Sequence, residues 1–305
     1  MSESKTISYH FEEVLNCEMC GDATAKHKVI GQRLNQSQGM RPKKKSGISV
    51  SIKKCKNCKL LYSSPQPVPF DIQDHYGIPP ESYWKPEYFI PDPVYFSEQI
   101  KVAKRLLDFK PGMRSLDIGA GIGKCMISLN NAGFDTYGFE PSQPYYERAI
   151  SKMNISEERL RLGMMEKMEY EENSFDLITF GAVFEHLYHP AFCLKKALKW
   201  LKPGGIIHIE VPSSAYLAAR IINLYYRVIG TNYVCNLSPM HAPFHLYEFR
   251  YKSFSALAEQ LGFSIKHHIY YVGKNLLLPR FMTFFLDPYM KWTHTGMQLE
   301  IWLSK

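Results

Sequence analysis

The sequence predicts an α/β fold in which a mostly parallel sheet carries helices on both faces, preceded by a small metal-binding module. Three observations predict it. From residue 114 onward, short apolar strand-like runs alternate with helical segments, which is the pattern of strands joined by crossover helices. A glycine-rich turn, Asp117-Ile118-Gly119-Ala120-Gly121-Ile122-Gly123, interrupts the first of these units. Upstream, two Cys-x-x-Cys pairs, Cys17/Cys20 and Cys55/Cys58, stand apart from the other three cysteines.

The 305 residues allow one core-forming domain and a smaller module. At 45% hydrophobic and 22% charged, the composition is that of a globular protein, not a disordered or collagenous chain. The net charge of +8 is concentrated at the start: residues 1–64 hold twelve Lys or Arg against five Asp or Glu. That excess can attract an anionic ligand or simply keep a loop solvated, as around Arg41-Pro42-Lys43-Lys44-Lys45. No run of about 18 apolar residues predicts a spanning helix, and the first residues lack the apolar stretch of a secretion signal. Paired cysteines at metal-site spacing point to a reducing, cytoplasmic compartment.

The four-cysteine module is expected over 12–64. Two Cys-x-x-Cys knuckles can grip opposite sides of one tetrahedral zinc, and a four-thiolate site leaves no open position, so the metal's role is structural. Pro65, Pro67 and Pro69 then forbid a central strand. The connector 65–94 is too aromatic for a free spacer and should pack across the following domain, 95–305. There, 94–109 reads as a helix, and 114–119, 135–140, 159–163, 175–180 and 205–212 read as strands. Helices are expected at 125–133, 145–153 and 191–201 between them. The insertion 213–247 opens with a helix whose Leu217, Ile221, Leu224 and Val228 share a face, read as a substrate lid or an oligomer contact. Arg220 and Arg227 speak against membrane insertion but leave surface association open. A helix closed by Gly262 and two last strands, near 263–272 and 298–305, complete the count at seven.

Closely spaced glycines between strand and helix let a ligand approach the backbone, and an acidic residue ending the next strand can accept ribose hydroxyls. Glu140 lies 21 residues after Gly119, at that place. The order is GxGxG after an Asp, with Lys124 where a dinucleotide fingerprint has Gly or Ala. Together with LKWLKPGGIIHIEVP before the fifth strand and SFDLITFGAVFEHLYHP at the fourth, this resembles the class I S-adenosylmethionine-dependent methyltransferases, over residues 95–270. The Glu185-His186 phrase is similar to the subgroup of ubiquinone-type O-methyltransferases and sugar or natural-product methyltransferases.

The resemblance implies a Rossmann-like seven-stranded sheet and S-adenosylmethionine as cofactor. It further implies Asp117 and Gly119 near the methionyl end, Gly121 and Gly123 admitting the turn, Glu140 on the ribose, and Met164, Met165 and Glu166 around the adenine. The cysteine module is similar to zinc ribbons that precede some of these enzymes, the second knuckle leading into CKLLYSSPQP.

Methyl transfer needs a positioned nucleophile and, for a hydroxyl or amine, a proton acceptor. His245 or His241 is the expected base, with Glu185 and His186 shaping the pocket. The expected function is methylation of a small-molecule or glycan-linked acceptor, at a hydroxyl first, with N- or C-methylation as alternatives. Rival readings are an NAD-dependent sugar oxidoreductase, which the loop spacing disfavours, and a zinc-anchored interaction protein without catalysis. A nucleic-acid partner is disfavoured by the absence of an RNA-binding motif.

Overall fold

The computed structural model describes residues 8–34, 48–76, 84–237, 243–273 and 280–305. The amino-terminal strands are β1 (Tyr9–Glu12), β2 (Lys28–Leu34), β3 (Ser49–Lys54), β4 (Leu61–Ser64) and β5 (Gln66–Pro69). After α1 (Ile72–Tyr76) and α2 (Ser97–Leu107), the chain alternates through β6 (Arg114–Ile118), α3 (Lys124–Asn131), β7 (Asp135–Glu140), α4 (Gln143–Met153), β8 (Leu160–Leu162), β9 (Phe175–Gly181), α5 (Pro190–Trp200) and β10 (Leu201–Pro212). It closes with α6 (Leu217–Val228), β11 (Tyr247–Glu248), α7 (Tyr251–Leu261), β12 (Ser264–Tyr271), α8 (Arg280–Thr293) and β13 (Gln298–Ser304).

The large sheet has seven strands in the order β12-β13-β10-β9-β6-β7-β8. Strands β6 to β10 are mutually parallel, and β13 runs antiparallel between β10 and β12. Because side chains alternate along a strand, neighbours in sequence serve opposite faces. Leu177, Ile206 and Trp302 join the cluster of α2 and α3, whereas Ile178, Ile207 and Ile301 join that of α5 and α7. This double burial is why the strands read as near-continuous apolar runs. The strand order turns at β6, with β7 on one side and β9 on the other, so the loops after these strands diverge and leave a crevice at the sheet's carboxyl edge.

The cysteine region forms a four-stranded antiparallel sheet, β11-β4-β3-β2, whose first member comes from the carboxyl side of 213–247. Pro67 and Pro69 sit in the two-stranded pairing of β5 with β1, where a missing N–H is tolerated. The two regions share one core. Cys17, Met19, Cys55, Cys58, Leu60 and Tyr62 pack in the same cluster as Phe184, Phe249 and Phe254. Ser253 Oγ donates to the Cys58 carbonyl at 3.0 Å, and Ser214 Oγ to that of Lys59 at 3.1 Å. Buried Glu248 adds a second tie, accepting from Leu237 N at 2.6 Å and from Asn236 Nδ2 at 2.7 Å.

The buried residues of α6 are Ala218, Ala219, Ile222 and Tyr226, with Leu217 and Ile221 of the predicted stripe packed against them, while its other two members, Leu224 and Val228, are 61% and 77% exposed. The helix is apolar on two faces, and the one with small residues is the one that makes the close contact. That contact includes Met290 and Leu286 of α8, a helix the sequence reading did not anticipate. Pro288 inside it conceals it. Of the described residues of 213–247, only Pro243 and His245 line the cavity described next, so α6 itself is not over it.

Candidate active site and cysteine centre

A cavity of about 630 Å³ opens at the carboxyl edge of β6, β7, β9 and β10. The glycine-rich turn forms its floor. Gly119, Gly121 and Gly123 all have positive φ, a conformation in which L-residues are strained. Each meets a different neighbour. A Cβ on Gly119 would sit 2.5 Å from Val183 Cγ2, and one on Gly123 would sit 2.8 Å from Ile155 Cγ1, whereas one on Gly121 would enter open space. Gly119 and Gly123 therefore permit packing, and Gly121 keeps the turn accessible. The Gly119 and Ala120 N–H groups both donate to the Phe139 carbonyl, at 2.9 and 3.0 Å, fastening the turn to the end of β7.

Glu140 ends β7 with its carboxylate turned back toward that turn. Oε2 accepts from Gly121 N at 2.7 Å and Oε1 from Ser142 N at 2.9 Å. Burial pushes its pKa up to about 7, with the two N–H donors opposing the shift. Asp117, also buried, accepts from Thr179 Oγ1 at 2.7 Å, and its pKa is raised to about 6, again mainly by burial. Met164, Met165 and Glu166 line the wall after β8. Seven of the eight residues expected around the cofactor thus border one cavity; Gly123, turned toward Ile155, does not line it.

The opposite wall carries Glu185, His186 and His245. Glu185 itself is only 2% exposed and stands directly behind the cavity lining, which includes both histidines. His245 Nε2 lies 4.0 Å from Glu185 Oε1, and the two imidazoles meet edge to face with centroids 4.8 Å apart. The His186 Nδ1 lies 2.9 Å from the Phe244 carbonyl oxygen. A carbonyl only accepts, so Nδ1 carries the proton, and in the neutral ring Nε2 is the acceptor. Burial raises Glu185 to about 8, and its Oε2 has no hydrogen-bond partner among the described residues. Ligand atoms of the three residues lie within 4.8 Å of one another, an arrangement suited to proton transfer or to a cation.

His241 lies outside the described residues. Tyr247, two residues after His245, belongs to the core: it is 1% exposed and its hydroxyl donates to the Tyr188 carbonyl at 3.0 Å. Sequence reasoning also missed Tyr76, Tyr88, Tyr95, Tyr188 and Glu210, which line the cavity from the connector, from α2's approach and from the ends of strands. The aromatic richness of the connector was the available signal. Glu210 could have been found as the acidic residue that interrupts the apolar run of β10 near its end.

The second centre is the cysteine tetrad. Cys17 Sγ lies 3.5 Å from Cys58 Sγ, and Cys20 Sγ lies 3.5 Å from Cys55 Sγ. All four sulfurs fall within 4.8 Å of one another. The edge of a tetrahedron of thiolates about 2.3 Å from zinc is roughly 3.8 Å, so the donor set fits such an ion. Each knuckle is a tight turn: Gly21 N donates to the Cys17 carbonyl at 2.8 Å, and Cys55 N to that of Leu60 at 2.9 Å. The sulfhydryl of Cys17 stabilises the Cys58 thiolate, holding Cys58 below the usual thiol range. His27 lies 2.7 Å from the Tyr62 hydroxyl and 3.1 Å from Asp22 Oδ2, and ligand atoms of His27 and Asp22 also come within 4.8 Å of the Cys55 sulfur.

A parallel sheet with its glycine turn, acidic strand end and antiparallel last strand defines a class I S-adenosylmethionine-dependent methyltransferase. The chain belongs to the methyltransferase domain family, which residues 95–268 match. Over 125 residues it is 29% identical to phosphoethanolamine N-methyltransferase 2 of Caenorhabditis elegans, the match covering 40% of this chain and 29% of that protein. Over 139 residues it is 27% identical to a ubiquinone biosynthesis O-methyltransferase of Bradyrhizobium diazoefficiens, covering 44% and 52%. The chain thus spans about half or less of these relatives' length. A crystal structure of a SAM-dependent methyltransferase from Archaeoglobus fulgidus superposes with a TM-score of 0.49 at 16% identity, covering 74% of this chain and 100% of that one.

Proposed function

We propose that the protein methylates a small-molecule or glycan-linked acceptor at a hydroxyl, using S-adenosylmethionine, and that the cysteine tetrad holds a structural zinc ion. The observation that carries the reading is the placement of Glu140. Its carboxylate is held by the Gly121 and Ser142 N–H groups at the rim of a cavity whose floor is the open face of Gly121. Such a carboxylate is positioned to accept the two hydroxyls of a ribose. Bound S-adenosylmethionine would supply an electrophilic methyl group there.

The chain's own contribution is to bind, orient and deprotonate. Glu140 and the glycine turn would hold the nucleoside, with Met165 and Glu166 beside the base, while the tyrosines from the connector would keep water from the acceptor. His245, facing the cavity and backed by Glu185, would take the acceptor's proton, and His186 would fix the wall through its bond to Phe244. A carbon or amine acceptor would call on the same proton-accepting wall, and the curated relatives include both O- and N-methyltransferases by name. The module 12–64, the connector 65–94 and the domain 95–305 would then act together, the first as scaffold and the second as part of the acceptor pocket.

Calorimetry of the full chain with S-adenosylmethionine, S-adenosylhomocysteine and NAD tests the reading. The sulfur nucleosides should bind saturably, and Glu140→Ala should weaken them by roughly tenfold or more, the worth of hydrogen bonds to a charged group. Preferential NAD binding would overturn it. Binding without methyl transfer to any hydroxyl, amine or carbon acceptor would favour the non-catalytic rival.

A further inference from the structure

We propose that the exposed apolar sides of α6 and α8 dock the protein on an anionic membrane surface. A surface helix ordinarily buries one apolar stripe and presents polar residues on the other side. Helix α8 does not. Met290 and Leu286 pack against α6, yet Phe284, Phe285, Tyr289 and Trp292 on the other side are 76%, 73%, 49% and 77% exposed. At 100° per residue these four positions span one continuous arc, so they form a single apolar surface rather than scattered side chains.

Helix α6 continues the pattern with charge added. Arg220, Leu224, Arg227 and Val228 occupy its solvent side at spacings of four, three and one, placing the two arginines on one edge of the stripe and the two aliphatic residues on the other. Lys291 borders the aromatic arc of α8 in the same way. Residues 213–237 contain no Asp or Glu, and α8 contains one, Asp287. Large apolar side chains edged by cations and nearly free of acids match the chemistry of an anionic headgroup layer over acyl chains. A second copy of the chain suits the surface less well, because pairing like faces would bring the same arginines together. Among the described residues no helix is long and apolar enough to cross a membrane, so the contact would be interfacial.

The face also lies at the functional end of the sheet. Helix α6 follows β10 directly after the strand end that contributes Glu210 to the cavity, and Leu217 N donates to the Thr295 carbonyl at 3.1 Å just before β13 begins. Docking there would bring the cavity's edge of the sheet close to the lipid, where an acceptor carried on a lipid would be found.

The test is flotation of the full chain with vesicles of phosphatidylcholine alone and with about 30% phosphatidylglycerol. Binding to the anionic vesicles should exceed binding to neutral ones by roughly tenfold, fall with added salt, and shift Trp292 emission to the blue. Phe285→Ser with Trp292→Ser should abolish binding to both. Arg220→Gln with Arg227→Gln should remove the anionic preference and spare the melting temperature. Absence of vesicle binding by the wild-type chain would overturn the proposal. So would a concentration-dependent dimer that these substitutions dissolve, which would make a second copy the occupant. Neither result depends on methyl transfer, so docking can fail while the proposed reaction stands.

Discussion

The cysteine tetrad and the Glu185 wall are both clusters of buried ionisable side chains, and both rest on the same hydrophobic core, yet they are built in opposite ways. In the tetrad every sulfur faces another, two pairs meet at 3.5 Å, and tight turns hold each knuckle. At the wall, Glu185 has a carboxylate oxygen without a partner among the described residues and a pKa driven up to about 8 by burial. Buried polar groups that satisfy one another stabilise a fold, while one left unsatisfied costs about 1–3 kcal/mol and persists where function requires it. The tetrad is thus arranged as a stabilising cluster should be, and the wall as the proton-accepting role proposed for it requires.

The largest effect should come from breaking the tetrad. Cys58→Ser removes a thiolate from a set whose members share a core with Phe184 and Phe254. Zinc measured by elemental analysis should fall well below one ion per chain, and calorimetry should show a single unfolding transition lowered for the whole protein by several kcal/mol. Two transitions, with that of the methyltransferase domain unmoved, would mean that the cysteine region is an appendage and that the shared core contributes little.

The wall should respond to pH instead. Glu185 has an ordinary pKa of 4.5 and about 8 in the fold, so the folded protein holds an extra proton between those values. Its contribution to stability is therefore intact below about 4.5 and lost as pH rises toward 8, the reverse of a salt-bridged carboxylate. Glu185→Gln, which stays neutral, should melt at a higher temperature than the wild type at pH 8.5 and close to it at pH 5. Initial methylation rates of the wild type should climb as Glu185 ionises and strengthens His245 as a base, and the variant should lack that alkaline rise. Equal melting temperatures at both pH values would remove Glu185 from the role given to it here.

Much of this contrast was legible in the residues. Strands β6, β7, β9 and β10 declare themselves because a sheet buried on both faces needs unbroken apolar runs, and Gly119 and Glu140 stand at the ends of two of them. The cysteine spacing announced one four-sulfur site. What could not be read is what depends on distant partners. Strand β11 is two residues long and exists only because Tyr247 and Glu248 find β4 some 185 positions earlier in sequence. The local pattern around Tyr247 likewise does not reveal the Tyr188 carbonyl that holds its hydroxyl. The apolar stripe of α6 divides, Leu217 and Ile221 packing inward while Leu224 and Val228 stay exposed, since periodicity reports an apolar surface without reporting what covers it.

The smallest effect sharpens the comparison within the tetrad itself. The residue after each knuckle has a left-handed backbone, φ 72° at Gly21 and φ 66° at Lys59. The two turns therefore demand the same conformation, and only the first has the residue that adopts it without strain. A left-handed L-residue costs about 1–2 kcal/mol relative to glycine, whereas glycine adds back about 0.4–1 kcal/mol through the freedom of the unfolded chain. Lys59→Gly should accordingly stabilise the protein by at most about 1.6 kcal/mol, leaving metal content and ligand binding unchanged. The carbonyl of Lys59 accepts from Ser214 Oγ and would be kept by the substitution. A loss of stability would show that the lysine side chain, whose Nζ reaches the Lys56 carbonyl, contributes more to the second knuckle than its backbone strain takes away.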